Sequence, residues 1–204
     1  MVYLYKKFVY NRRENQKGAI FLRVIAGAAR RTALVAPLGS STRPTADRAK
    51  EGLFNIISER VRGARFLDIF CGSGAIGIEA LSRGAKEAVF VENAAPALKA
   101  VKENLAKTKL QNAEIIEASA ENAISRLQTA NRRFDIIFLD PPYDSLLLEQ
   151  TLQKVPPLLA EGGIVIAETE QNRGFAPQSA SLFLTSTRVY GRTVFLFLQA
   201  EEAE

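Results

Sequence analysis

The 204-residue chain contains no histidine and a single cysteine. Without imidazole there is no histidine acid–base catalysis, serine triad, imidazole metal site or histidine phosphotransfer. Cys71 alone excludes an internal disulfide and a cysteine-cluster zinc site, so no metal is expected, and a lone thiol suits a reducing cytoplasm. With no histidine to activate it, Cys71 reads as a small packing residue rather than a nucleophile. No apolar run approaches the roughly 18–20 residues that cross a bilayer, so no membrane is expected as a partner. The basic N-terminus lacks an apolar segment and a small-residue cleavage site, so no secretory signal is expected. Chemistry is left to carboxylates, hydroxyls, backbone groups or a bound cofactor.

Hydrophobic residues make up 47% and charged residues 24%, the balance of a globule large enough for one domain with an appendage. The net charge of +5 hides an asymmetry. Residues 1–65 carry 14 Lys/Arg against 4 Asp/Glu, whereas residues 66–204 carry 13 against 18. A basic arm on a mildly acidic body points to a polyanion as partner, with a merely solvated surface as the alternative.

From Phe66 onward, short apolar runs alternate with amphipathic segments. The runs Phe66–Phe70, Ala88–Glu92, Ala113–Glu117, Phe134–Leu139 and Gly163–Glu168 predict strands covered on both faces. Ala75–Arg83, Pro96–Thr108, Ala120–Gln128 and Ser145–Lys154 predict the intervening helices, with Pro156-Pro157 breaking the last. This alternation predicts an α/β, doubly wound, mostly parallel sheet. Ser181–Ser186 and Thr193–Gln199, joined around Gly191, predict an antiparallel hairpin at its edge and bring the strand count to seven.

Residues 66–204 thus read as the core domain, residues 21–65 as a hairpin-and-helix leader and residues 1–20 as a frayed basic extension. In the leader, Phe21–Ile25 and Thr32–Val35 predict a hairpin. Thr45 caps a predicted helix to about Arg62, with Leu53, Phe54, Ile57 and Val61 on its buried side.

After the first strand, Gly72, Gly74 and Gly77 match G-x-G-x-x-G, and Glu92 ends the next strand twenty positions after Gly72. Taken literally, this is a dinucleotide fingerprint. Asp68 argues otherwise. A dinucleotide sets its pyrophosphate at this turn, and a carboxylate beside that anion repels it. S-adenosylmethionine brings an ammonium and a sulfonium, which a carboxylate attracts. Glu92 fits either ligand as an acceptor for ribose hydroxyls, with Asn93 beside it.

The fourth strand runs into Asp140-Pro141-Pro142-Tyr143, a rigid turn at a strand's carboxyl end, where ligands bind in open α/β sheets. Here the sequence resembles the class I (Rossmann-like) S-adenosylmethionine-dependent methyltransferases that modify exocyclic amino groups of bases. The resemblance implies that Asp140 and the Pro141 carbonyl accept the two N–H bonds of the amino group and aim its lone pair at the methyl. It implies that Pro142 stiffens the corner and Tyr143 stacks on the extruded ring, offsetting the few kcal/mol of base flipping. Asp68, Phe70, Gly72, Ser73, Gly74, Glu92, Asn93, Ser119, Ala120 and Asp140 are then the expected cofactor contacts.

The leader narrows the likeness. Arg23-Val24-Ile25-Ala26-Gly27, Arg43-Pro44-Thr45-Ala46-Asp47-Arg48 and Glu51-Gly52-Leu53-Phe54-Asn55 resemble the RsmD-type enzymes, which place one methyl on N2 of a guanine in 16S ribosomal RNA. The resemblance spans about Leu22 to Gln199. It implies a monomeric cytoplasmic enzyme acting on the 30S particle or its assembly intermediate, with Arg23, Arg30, Arg31, Arg43, Arg48 and Lys50 as phosphate contacts. A DNA adenine-N6 methyltransferase shares the acceptor motif, though only about sixty-five residues lie outside the core to read a target. An NAD-dependent oxidoreductase and a non-catalytic RNA-binding assembly factor are the readings left from other classes.

Overall fold

The computed structural model describes residues 22–37, 47–142, 145–171 and 181–200. The expected extension, Phe21, Arg43, Thr45 and Tyr143 lie outside these residues. Among the described residues seven strands form one sheet: β1 (Arg65–Ile69), β2 (Glu87–Glu92), β3 (Ala113–Glu117), β4 (Phe134–Leu139), β5 (Leu159–Glu170), β6 (Leu182–Tyr190) and β7 (Thr193–Ala200). Their spatial order is β3-β2-β1-β4-β5-β7-β6. The first five are parallel, and β7 runs antiparallel between β5 and β6, so the terminal hairpin occupies the sheet edge. The central strands are continuous runs of Ile, Val, Leu and Phe because helices cover both faces.

Among the described residues six α-helices supply that cover: α1 (Asp47–Ile56), α2 (Ser58–Val61), α3 (Ala75–Ser82), α4 (Ala95–Thr108), α5 (Ala120–Thr129) and α6 (Ser145–Lys154). Strand alternation splits the core in two. Phe66, Phe90, Ile136 and Phe138 face α1, α3 and α4, together with Leu22, Val24 and Leu34 of the leader. Leu67, Val89, Ile137 and Leu139 face α5 and α6. The leader's apolar residues therefore close one side of the sheet rather than forming a core of their own.

Three local expectations change. The leader hairpin contracts to one antiparallel bridge, Arg23 with Ala33, because its turn is occupied by contacts to α3. The leader helix is broken at Ile57 into α1 and α2, while Leu53, Phe54, Ile57 and Val61 are all buried as expected. β5 begins at Leu159, before the Gly162-Gly163 pair, and a register irregularity opposite Phe134/Ile136 absorbs the extra residues.

The leader docks through buried polar groups. Glu79 of α3 accepts hydrogen bonds from the backbone N–H of Ile25 (2.8 Å) and Ala26 (2.9 Å). The same carboxylate pairs with Arg83 at 2.8 Å and Lys50 at 3.5 Å. Lys50 is completely buried and donates to the Arg23 carbonyl. Ser82 accepts from Ala29 N–H through Oγ at 3.0 Å and from Ala28 N–H through its carbonyl at 2.8 Å. Gly27, between Ala26 and Ala28, has φ +82°, and a Cβ there would sit 1.7 Å from the Ser82 carbonyl oxygen, so only glycine fits. Lys50 and Glu79 have no exposed side-chain surface, and removing one partner leaves the other's charge buried and uncompensated. Glu79→Ala is expected to lower unfolding free energy by about 3–5 kcal/mol, measured by urea titration. A change below about 1 kcal/mol, the scale of an exposed pair, would refute the account.

Candidate active site

The glycine loop and the diproline corner stand on neighbouring strands. β1 lies between β2 and β4, with Ile69 opposite Val91 on one side and Leu139 on the other. At the carboxyl ends of these strands, Cys71 N–H donates to the Val91 carbonyl at 3.1 Å and Asp140 N–H lies 3.4 Å from the Ile69 carbonyl. Phe70 therefore sits between the ends of β2 and β4, with φ +64°, an uncommon conformation for a side-chain-bearing residue and a mark of local strain. Asp68, two residues earlier, and Glu92 share the face of the sheet on which α3 packs, by alternation with Phe66 and Phe90.

Asp68 is buried beneath the loop, and its Oδ2 accepts the Gly77 N–H at 2.9 Å. Gly77 permits this contact: a Cβ on it would lie 2.4 Å from the Phe90 ring and 3.1 Å from that carboxylate oxygen. The third glycine of the motif thus serves the close packing of α3 on β2 and Asp68. Burial pushes the Asp68 pKa up from 3.8 to about 8, against the opposing Gly77 hydrogen bond, and the charges of Asp140 and Glu92 push it further. The Asp140 side chain reaches water, yet protein walls the rest of its surroundings and raises its pKa as well. Burial, with Asp68 and Glu92 nearby, raises the Cys71 thiol pKa too, which fits packing and not nucleophilic attack.

Glu92 has a second task that its motif position does not reveal. Its Oε2 accepts the Gly72 N–H at 3.0 Å, and its Oε1 accepts from Asn93 N–H and Ala94 N–H, both at 2.9 Å. One carboxylate thereby ties the glycine loop to the start of α4. Of its roughly four acceptor positions, the one left free is on Oε2. Ser73 is half-buried, Gly74 caps α3 with φ +75°, and Asn93 is exposed. Ser119 caps α5, accepting from Asn122 N–H at 3.4 Å, and Ala120 is buried behind it. Pro141 is half-buried and Pro142 exposed at the corner.

Asn104 escaped sequence reasoning. It is fully buried on α4, accepting from Val35 N–H at 2.7 Å and donating to the Val35 and Ser73 carbonyls, each at 2.9 Å. A single side chain thus joins the leader to the glycine loop. Its signal was an amide spaced three and four residues from Val101 and Ala100 on the buried face of α4.

The proposed phosphate contacts divide. Lys50 is a correction: it is buried on Glu79 and the Arg23 carbonyl, so no phosphate can reach it. Its helical spacing from Leu53, Phe54 and Ile57 places it on the same inward face. Arg23 is half-exposed and paired with Asp47 at 2.8 Å. Arg48 is exposed in the first turn of α1, one turn before Gly52, which packs on the Tyr190 ring near the carboxyl end of β5. Arg30 and Arg31 are exposed on the turn docked against Ser82, the last residue of α3, at the opposite end of the sheet.

The arrangement sets three carboxylates, Asp68, Glu92 and Asp140, around one loop, and no ion pair joins any of them to a cation among the described residues. Such a set repels a pyrophosphate and suits a ligand carrying positive charge. No helix among the described residues is long and apolar enough to cross a membrane, and no cluster among them could hold a metal ion.

Known proteins share this organisation. The model of the family described as "Conserved hypothetical protein 95" matches residues 22–199. YlbH of Bacillus subtilis (strain 168) is 38% identical over 175 residues, covering 84% of this chain and 95% of that protein. "Ribosomal RNA small subunit methyltransferase D" of Escherichia coli (strain K12) is 33% identical over 192 residues, covering 93% and 96%. The solved structure of yhhF from Escherichia coli superposes with a TM-score of 0.76 at 32% identity, covering 89% of this chain and 99% of that one. The seven-stranded sheet is the Rossmann-like class I methyltransferase architecture. Matched from the leader to β7, the chain belongs to the Conserved hypothetical protein 95 family, that of the RsmD-type enzymes.

Proposed function

We propose that the protein transfers one methyl group from S-adenosylmethionine to the exocyclic N2 of a guanine in 16S ribosomal RNA, within the 30S particle or an assembly intermediate. The observation that carries this reading is the placement of Asp68, on β1, beside Asp140, which directly follows the adjacent strand β4, so that the Asp140 charge adds to the burial that raises the Asp68 pKa. A relative spanning nearly the whole chain is named for small-subunit ribosomal RNA methylation, which supports the substrate class.

The residues present fit the methyl donor. Asp68 and Asp140 would hold its positive charges, the free acceptor position on Glu92 Oε2 would take one ribose hydroxyl, and the Gly72–Gly74 turn would pack against it. Phe70, Ser73, Asn93, Ser119 and Ala120 border this region. Bound there, the sulfonium supplies an electrophilic methyl group. Asp140 and the Pro141 carbonyl accept the N–H bonds of the amino group, favouring a pyramidal nitrogen whose lone pair is free. The raised pKa of Asp140 makes its carboxylate a better base than an ordinary aspartate. It can take the proton that the methylated nitrogen must lose, so neither histidine nor metal is required. Tyr143 would stack on the extruded guanine. Arg23 and Arg48, in the leader, would hold phosphates near the mouth, with Arg43 as a further phosphate contact, and residues 21–65 would form the RNA-binding part of a domain completed by residues 66–204.

Replacing Asp140 removes an acceptor and a base without removing the donor site. Asp140→Asn should cut kcat by about 100-fold or more, the scale of a misplaced reacting group, while methyl-donor binding is weakened but retained through Asp68 and Glu92. Tritiated-methyl transfer to 30S particles and to duplex DNA, beside calorimetric donor titration, checks this. Full turnover in the variant would remove Asp140 from its role, and methyl uptake by DNA alone would overturn the substrate.

The raised carboxyl pKa also sets a pH dependence. The folded protein binds more protons than the unfolded chain between the ordinary Asp value of 3.8 and about 8. Stability of the free protein therefore falls as pH rises through that window. A cationic donor must expel those protons, so donor affinity should rise about tenfold per unit, for one proton released, between pH 6 and pH 7.5 or so. Calorimetry in buffers of different ionisation enthalpy reads the release directly. Affinity that is flat with pH would contradict the role given to Asp68.

A further inference from the structure

The mouth of the site is lined by the carboxyl groups of Asp68, Glu92 and Asp140, none of them ion-paired among the described residues, and offers a phosphate backbone acceptors rather than cations. Beyond the leader arginines near the mouth, further attraction for a polyanion must come from surfaces elsewhere. One such surface gathers at the far end of the sheet. α3 runs from the glycine loop back to the amino end of β2, and the turn carrying Arg30 and Arg31 rests on its last residue.

Two more connections meet at this corner. Gly63 N–H donates to the Gly84 carbonyl at 2.8 Å, and Lys86 N–H donates to the Ala64 carbonyl at 2.8 Å. A Cβ on Gly84 would lie 4.0 Å from Arg62 Cγ. Arg60 reaches the Gly162 carbonyl at 3.0 Å, which satisfies one donor and leaves the charge uncompensated. Arg30, Arg31, Arg60, Arg62 and Lys86 are all exposed, and none makes an ion pair among the described residues.

Most of the neighbouring carboxylates are already committed. Asp135 is held by Arg65, and its pKa is lowered chiefly by that hydrogen bond, with Lys86 adding to the positive field. Glu87 and Glu114 share Arg132, and Glu79 is taken by Lys50 and Arg83. Glu59 and Glu161, both exposed, are the remaining acids beside Arg60 and Gly162. Cations outnumber free acids at this end, whereas acids crowd the mouth.

We propose that this basic corner at the amino end of the sheet is a second contact surface for the phosphate backbone of RNA, separate from the methyl-acceptor mouth. The inference rests on the reading of the protein as a ribosomal RNA methyltransferase and adds where the substrate is gripped. Five-residue strands rising about 3.3 Å per residue set the two ends about 15–20 Å apart. A folded RNA spans both, and a short oligonucleotide at the mouth does not.

The test uses the full chain with Arg60, Arg62 and Lys86 changed together, as R60A/R62A/K86A and as the glutamate reversal R60E/R62E/K86E. Binding to protein-free 16S rRNA is measured across a salt series, and methyl-donor binding by calorimetry. The alanine triple should lower the slope of log affinity on log salt by about 2–3, close to one for each phosphate that is no longer neutralised. The reversal should weaken binding at least tenfold further, with donor affinity unchanged in both. If the reversal compromises folding, the alanine triple alone decides. A wild-type slope and affinity in that variant would overturn the proposal while leaving methyl transfer intact. A wild-type protein that binds rRNA without methylating any RNA would instead sink the enzymatic reading.

Discussion

A carboxylate buried at the carboxyl end of β1 is the costly element around which the rest is arranged. Asp68 sits in the core beneath a glycine loop, beside Asp140 and near Glu92, and its ionised form is disfavoured by burial and by both neighbours. A structure selected for stability alone would place an apolar residue there, since an uncompensated buried charge costs several kcal/mol. Here the cost is offset only in part, by the Gly77 N–H that the missing Cβ admits. The remainder is available to whatever cation enters, and that is how a site favours its ligand over water. The same argument removes the dinucleotide reading. The glycine spacing is shared by both cofactor classes, but the field over this loop has the sign that a pyrophosphate avoids.

Holding that loop still requires contacts from outside the nucleotide-binding half. Glu92 fixes the Gly72 N–H from one side, and Asn104 fixes the Ser73 carbonyl from the other while gripping both polar groups of Val35. Glu79 and Ser82 then capture the backbone of residues 25–29 on α3. The leader is thus bound to the same two helices that flank the loop, through polar groups whose partners are all present. Leu22, Val24 and Leu34 cover the sheet, and buried hydrogen bonds give the segment its register.

Much of this was legible in the sequence, for identifiable reasons. Strands β1, β2 and β4 could be read to within a residue or so because parallel strands covered on both faces are dense apolar runs, whereas β3, expected to be covered on both faces, is the sheet edge and buries none of its residues, so its two glutamates stand in a half-exposed strand. The glycine loop, Asp68 and the Asp-Pro-Pro corner were legible because each demands particular residue types in one order along the chain. The buried polar network was not, because its partners lie 27 to 69 residues apart and bond mostly to backbone, which leaves no compositional trace. Glu79 still left a hint: it stands alone among Ile76, Ile78, Ala80 and Leu81, in a helix with no solvated face to place it on. Lys50 shows the converse error. Charge and position in a basic arm favoured a phosphate contact, but its spacing from Leu53, Phe54 and Ile57 had already turned it inward.

The lesson of Lys50 extends to how charge is distributed over the whole molecule. Net charge counted along the chain assigns the leader a single role, yet folding separates its cations into three populations. Lys50, and Arg83 beyond the leader, neutralise Glu79 inside the protein. Arg48 and the partly paired Arg23 lie at the end of α1 that packs near the carboxyl ends of the strands, while Arg30 and Arg31 are carried by α3 to their amino ends. The separation has a physical logic. Arg23 is already partly neutralised by Asp47, so the cations at the carboxyl end do not outweigh the carboxylates around the glycine loop, and the preference for a positively charged ligand survives. An enzyme that binds a cation and a polyanion at once gains from gripping much of the polyanion away from the cation site. Holding the polyanion by its distant parts keeps the two fields from annulling each other, and at physiological ionic strength a separation beyond the roughly 8 Å Debye length is sufficient.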